Sequence, residues 1–425
     1  MGSLSLPSSR IDTRSACHVL GRLLAALACQ AALCIPASAQ KPTFDPATLT
    51  PQNFYKVLEP LARAEGTLVF YNSAGDFDPI WKTGLIPRFE ARYGIKVDYV
   101  NVRREQADQQ LIAVHRARAP APVDVYFAGG SDRFGLLDGA GVVAGIDLSS
   151  IVPNLAAVAP DYKGVVFGVD THGRWPIVHV NQVALGYDSA QLAAAEVPSS
   201  FEDLLAWAER HPKKFAFTSP AKGGSGSGFL YSAAVHLVKD ERCRKTLLDA
   251  HMSEDDAAVW AESASCLQPL WAYMERLLKA SEVTNGNADT LNLLNNREVL
   301  IGTVWEDLAR TFVVRKLLPP RFRMALLRDG MAAGGDGLML PADARHKAAA
   351  LLFIDMAFDK DFQSWKLVNY SSRSPRPDVE RQAAELDESH GLVPAAQMSA
   401  SSIPVNFRAA HALTHALEDK VLTKL

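Results

Sequence analysis

TLVFYNSAG (residues 67–75) and VDVYFAGGS (residues 123–131) are two apolar strand patterns that run straight into small, polar loop residues. Between them, FEARYGIKVDYV (residues 89–100) carries the end of a helical pattern, a stop at Gly94 and a further strand from Ile95 to Val100. Gln106–Arg118 is an Ala- and Gln-rich helical segment, closed by Pro120 and Pro122. Strands that alternate with helices over such short distances imply parallel pairing and an α/β layered sheet. In sheets of that kind ligands sit beyond the carboxyl ends of the strands. Asn72, Ser73 and Ala74, with Gly129, Gly130 and Ser131, therefore share one rim and are candidate binding residues. Asn and Gly also suit strand-to-helix turns for purely local backbone reasons, so the pattern supports both readings.

Further along, KFAFTSPAKGGSGSGFLYSAAVHLV (residues 214–238) reads as strand, glycine-rich loop and helix start. Backbone N–H groups at such a junction face whatever lies above the loop, and Ser225, Gly226 and Ser227 are candidates to contact it. Three familiar loops fail here. Gly228 is followed by Phe229 and Leu230 where a P-loop needs Lys-Ser/Thr, no frame gives the dinucleotide glycine spacing, and no frame gives Gly-x-Ser-x-Gly. A small-ligand cradle or a plain surface turn remains.

The rest of the chain continues the α/β rhythm. WPIVHVNQVALGY (residues 175–187) is a long strand pattern, FEDLLAWAERH (residues 201–211) a helix with Ser200 as N-cap, and residues 241–300 are mainly helical. Ile301–Trp305 reads as a strand ending at Glu306 and Asp307, Gly337–Pro341 as another, and Asp343–Phe358 as a helix. With 425 residues, 48% hydrophobic and 21% charged, the chain suits two or three domains with ample core. Its formal net charge of −3 offers no basic surface for nucleic acid.

Residues 1–39 read as a cleaved signal peptide. Arg10, Arg14 and Arg22 precede the apolar run Leu23–Ile35, and Ala37-Ser38-Ala39 has the small-x-small form of a cleavage site. Neither Cys29 nor Cys34 sits in a good lipid-attachment context. Cleavage after Ala39 would leave Cys243 and Cys266, an even number in an oxidising compartment. A disulfide between them and a pair of buried thiols both fit.

Taken in order, LVFYNSAG, FEARYGIKV, VDVYFAGG followed by LLDGAGVV, VALGYDS, VPSSFEDLLAWAER, the strand–SGSG–helix, IGTVWED and GLMLPADARHKAAALLFIDMAFDKDFQ resemble the type II periplasmic solute-binding proteins of ABC importers, the family 1/family 6 extracellular group. The likeness covers about residues 66–375. It implies a two-lobe α/β fold with a ligand cleft between the lobes and two crossing strands, near Val178–Leu185 and Gly337–Leu340. It divides the mature chain into a first part of the N-terminal lobe (40–182), a second lobe (183–337), and a return to the N-terminal lobe with C-terminal helices (338–425). The expected activity is capture of a small solute by hinge closure and delivery to an inner-membrane permease. The receptor would be a periplasmic monomer, with no cofactor and no chemistry on the ligand.

The resemblance places Asn72-Ser73-Ala74, Gly129-Gly130-Ser131, Ser225-Gly226-Ser227 and Trp305-Glu306-Asp307 on the cleft, with Trp175 as a further candidate. Iron-binding members use paired tyrosines late in the chain, whereas this sequence has only Tyr370 there. Asp76, Asp78, Glu306, Asp307 and Asp336 beside Tyr71, Trp175 and Trp305 suit an organic cation such as a polyamine or thiamine-like compound. Free helix N-termini would suit an oxyanion instead. His411 and His415 have the helical spacing for shared metal ligation, but Ala412 stands where a zinc peptidase has Glu, so they read as surface residues. His172 and His179 have no fixed acidic or thiol companion in sequence, and no Ser/His/Asp set can be assembled. An exported hydrolase is the competing reading.

Overall fold

The computed structural model describes residues 44–74, 77–129, 132–166, 169–249, 251–382, 386 and 391–424. The signal-peptide reading, Asp76, Gly130 and Ser131 fall outside them. In the first lobe, α1 (Phe54–Glu65), β1 (Thr67–Asn72), α2 (Ile86–Tyr93), β2 (Lys96–Asn101), α3 (Arg104–Arg116), β3 (Val125–Gly129) and α4 (Asp132–Gly139) follow the expected alternation. Both α1 and α2 end on glycines with positive φ, Gly66 at 76° and Gly94 at 69°, where an L side chain would be strained.

β4 (Ile177–Asp188) then crosses to the second lobe, which holds α5 (Phe201–Arg210), β5 (Phe215–Thr218), α6 (Gly224–Leu237), α7 (Glu241–Leu248), α8 (Glu254–Ser263), α9 (Gln268–Ala280), β6 (Glu282–Thr284), α10 (Asn287–Asn295), β7 (Ile301–Trp305), α11 (Glu306–Val314) and β8 (Phe322–Ala325). Ser200 caps α5 by accepting the Asp203 N–H at 3.0 Å. Cys243 on α7 and Cys266 are joined by a disulfide. At a sequence separation of 23, that cross-link stabilises by about 3 kcal/mol in the chain-entropy picture. The chain returns through β9 (Met331–Met339) to α12 (Lys347–Ala357) and α13 (Lys360–Tyr370), then ends with β10 (Ser402–Pro404) and α14 (Phe407–Lys420).

The sheet order is β2-β1-β3-β9-β4-β7-β5-β6, with β8 added to β4 and β10 to β9. Pairing is parallel within β2-β1-β3 and within β7-β5-β6. The two crossing strands are antiparallel to each other, with Ala333 opposite Gln182 and Gly335 opposite Val180. The return crossing is longer than the sequence suggests, because MAAGGDGLM has no apolar alternation and no β-branched or aromatic residue to mark it as a strand. Its glycines answer a packing need instead: a Cβ on Gly337 would lie 2.3 Å from the Trp175 indole.

One hydrophobic cluster runs from Val183 to Val421 and packs the second lobe. Two others, drawn from residues 49–180 and 338–362, pack the first. α14 contributes Ala409, Leu413 and Leu417 to the second-lobe cluster, so the end of the chain packs on that lobe. No helix among the described residues is long and apolar enough to cross a membrane.

Candidate functional site

The parallel strands of both lobes end at one cavity of about 630 Å³. Ser73, Ala74, Phe77, Arg104 and Arg133 line it from the first lobe, and Asn181, Gly335 and Asp336 from the crossing strands. The second lobe supplies Pro220, Ala221, Gly224, Ser227, Gly228, Asn287, Trp305, Asp307 and Leu308, while Val405, Phe407, Ala410, His411, Thr414 and His415 come from the end of the chain. Ser73, Ala74, Ser227, Trp305, Asp307 and Asp336 are thus the described sequence candidates at the cavity surface.

The remaining candidates lie beneath it. Asn72 is fully buried and spends its amide on the Ala74 carbonyl, Asp78 and Tyr99, while accepting the Ala74 N–H at 2.9 Å, which shapes the loop. Trp175 is fully buried in the first-lobe core, edge-on to Phe134. Ser225 is also fully buried, its hydroxyl donating to Asn287 Oδ1 at 2.8 Å. The glycine-rich stretch is the first turns of α6, not a loop, and its glycines let that helix lie against the sheet. A Cβ on Gly226 would sit 1.8 Å from the Thr218 carbonyl, and one on Gly228 would sit 2.6 Å from Val183. Ser227, on another face, is within 3.1 Å of the Thr414 hydroxyl on α14.

Glu306 and Asp307 open α11, where the helix dipole favours acids. The helical turn then separates their fates. Glu306 is 1% exposed and chelated by Arg373, with Nε at 2.5 Å and Nη2 at 2.9 Å, and it accepts the Val393 N–H at 2.6 Å. Asp307 lines the cavity. Its Oδ2 lies 3.1 Å from His179 Nε2, and its buried Oδ1 has no hydrogen-bond partner among the described residues.

Behind Asp307 runs a directional chain. A carboxylate only accepts, so His179 Nε2 donates to it and Nδ1 accepts from the Ser372 hydroxyl, which in turn accepts from Lys366 Nζ at 2.9 Å. Lys366 also donates to the Ser372 and Arg373 carbonyls at 3.2 and 2.8 Å. Burial pushes its ammonium down to about 7, opposed by the pull of Glu380 and Asp307. Phe77 closes one side, its ring 4.6 Å from the His179 ring. His179, with no visible companion in sequence, therefore gains one through long-range contacts.

Asn181 is a second orienting group on the floor: its amide N donates to Asp336 at 3.2 Å, and its buried Oδ1 has no hydrogen-bond partner among the described residues. On the first-lobe wall, Arg133 lies 3.4 Å from Glu105 and 3.7 Å from Asp108. Of the other acidic and aromatic candidates for a cation, Asp78 is engaged by Lys82 at 2.8 Å and by Tyr99, and neither Asp78 nor Tyr71 lines the cavity. Tyr370 also lies off the cavity wall, its hydroxyl 3.3 Å from Thr83.

Sequence reasoning missed Phe77, Arg104, Arg133, Asn181 and Asn287, which follow or face the strand ends without a motif of their own. It noticed His411 and His415 by their spacing but read them as ordinary surface; they stand on the cavity wall with their Nε2 atoms 3.2 Å apart.

The family model for bacterial extracellular solute-binding proteins matches residues 84–390. A stretch of 144 residues is 29% identical to the Fe(3+)-binding periplasmic protein of Serratia marcescens, covering 34% of this chain and 38% of that relative. Iron-bound HitA from Pseudomonas aeruginosa superposes with a TM-score of 0.59 at 18% identity, covering 83% of this chain and 99% of HitA. The spermidine/putrescine transporter substrate-binding protein PotD from Streptococcus pneumoniae gives 0.59 at 11%, covering 83% and 98%. AfuA from Actinobacillus pleuropneumoniae, with fructose-6-phosphate bound, gives 0.57 at 14%, covering 84% and 97%. These neighbours share the two-lobe periplasmic binding-protein fold.

Proposed function

The chain belongs to the bacterial extracellular solute-binding protein family, and we propose that it is a periplasmic receptor that closes its lobes on a small solute and delivers it unchanged to an ABC importer permease. The solute carries an ammonium or similar hydrogen-bond-donating cationic group. The observation that carries this reading is Asp307, a carboxylate fixed through His179 with one buried oxygen left to accept. A buried acceptor without a donor costs about 1–3 kcal/mol, which a ligand N–H or ammonium would recover on binding. Asn181 Oδ1 is a second such acceptor. Trp305, close against Gly224, offers an aromatic face to a cation.

Ferric iron, the ligand in the name of the Serratia relative, is not the favoured reading, since the described cavity-lining residues include no tyrosine. A second reading, an oxyanion, is supported by Arg104 and Arg133 on the first-lobe wall. Calorimetry of the leader-free protein against putrescine, spermidine and thiamine, beside phosphate and a sugar phosphate, tests the choice. Heat with an amine that vanishes in Asp307→Asn supports the cation. Heat with the anions alone, lost in Arg133→Gln, replaces it with the second reading.

A further inference from the structure

On the second lobe, Glu202, His236 and Asp329 meet from three separate elements: the first turn of α5, the last turn of α6 and the turn that leads into β9. None of them lines the cleft. One donor atom from each lies within 4.8 Å of the others, with His236 Nε2 2.8 Å from Glu202 Oε1 and 3.9 Å from Asp329 Oδ2. An imidazole nitrogen carries at most one proton and can serve one acceptor well, yet two carboxylates converge on this one. Ligands about 2.0–2.2 Å from a tetrahedral zinc ion are about 3.3–3.6 Å from each other, between the two distances seen here.

The ligands are also held in place. The His236 ring stacks on Phe201, with centroids 5.3 Å apart and planes 25° from parallel. Asp329 Oδ2 accepts the Phe201 N–H at 2.8 Å. His236 and Asp329 side chains are 18% and 12% exposed while Glu202 is 66% exposed, so the cluster has a shielded floor and one side open to water. Two carboxylates against one imidazole leave excess negative charge that a divalent cation neutralises.

We infer that Glu202, His236 and Asp329 form a binding site for a borderline divalent metal ion, best suited to zinc, that ties α5, α6 and the start of β9 together outside the solute cleft. The fourth coordination position is left to water on the exposed side.

The test is titration of chelator-stripped, leader-free protein with zinc chloride, followed by calorimetry and thermal melting. His411 and His415 could also chelate zinc, so the titration is repeated in a His411→Gln/His415→Gln background. One equivalent of zinc should still bind there and raise the melting temperature, and Glu202→Gln should weaken that binding by about tenfold or more. Glu202→Gln leaves the Phe201 contacts intact, whereas Asp329→Asn also disturbs the start of α5; His236→Gln serves as the second variant. The inference is overturned if zinc does not bind in the background variant, or if binding there survives both Glu202→Gln and His236→Gln unchanged. Neither result bears on solute binding.

Discussion

The two walls of the cleft are built by the same device, parallel strands that end at helix starts, yet they carry opposite charge. The first-lobe wall presents Arg104 and Arg133, whereas the crossing strands and second lobe present Asp336, Asp307 and the indole of Trp305. A solute held between them meets cations on one side and carboxylates on the other. Charge alone therefore does not choose the ligand; the difference lies in how each wall's groups are satisfied. Arg133 has acids of its own lobe at 3.4 and 3.7 Å, whereas Asp307 keeps a buried oxygen without a hydrogen-bond partner among the described residues.

The largest effect should come from the acid that never reaches the wall. Glu306→Gln leaves the buried Arg373 with only Glu380, 2.6 Å from its Nη1, to balance it and should destabilise the protein by about 3 kcal/mol in denaturant unfolding. Its neighbour should behave in the opposite way. Asp307→Asn should leave the unfolding midpoint nearly unchanged but weaken amine binding by about 30-fold to 100-fold in calorimetry, as expected for a lost charged hydrogen bond of about 2–3 kcal/mol. If Asp307→Asn instead unfolds the protein while ligand affinity persists, the contrast between the two acids collapses.

Smaller effects sharpen the comparison of the walls. Arg133→Gln should change amine affinity by no more than about threefold, because the favoured contacts lie opposite. A larger loss would show a ligand that spans both charges. Lys366 supplies a pH signature. Its ammonium is lowered from 10.5 to about 7 in the folded protein. Between those values the unfolded chain binds the proton that the folded chain has released, so stability contributed by this group rises with pH from about 7 to 10. Lys366→Met should flatten that rise in denaturant midpoints measured across the window.

Much of this molecule is legible in its local patterns. Strand and helix periodicity, glycine stops at Gly66 and Gly94, and Ser200 before Phe201 identify the α/β rhythm, because each depends on neighbours a few residues away. The rim loops follow from the same rhythm, since the carboxyl ends of parallel strands must share a side.

Which side chain of a rim loop reaches the cleft was decided by tertiary structure. Ser225 and Ser227 differ by two positions and Glu306 and Asp307 by one, and at 3.6 residues per turn that rotation is enough to bury one of each pair. What buries Glu306 is Arg373, and what presents Asp307 is His179, partners distant in the chain that no local pattern announces. The same holds for α14, whose amphipathic sequence gives a helix but not the lobe it covers. Its placement follows from apolar packing against α6 and α8, and that packing brings His411 and His415 to the cavity wall. Local periodicity fixes backbone elements, while burial and long-range pairing assign each side chain to core or cleft.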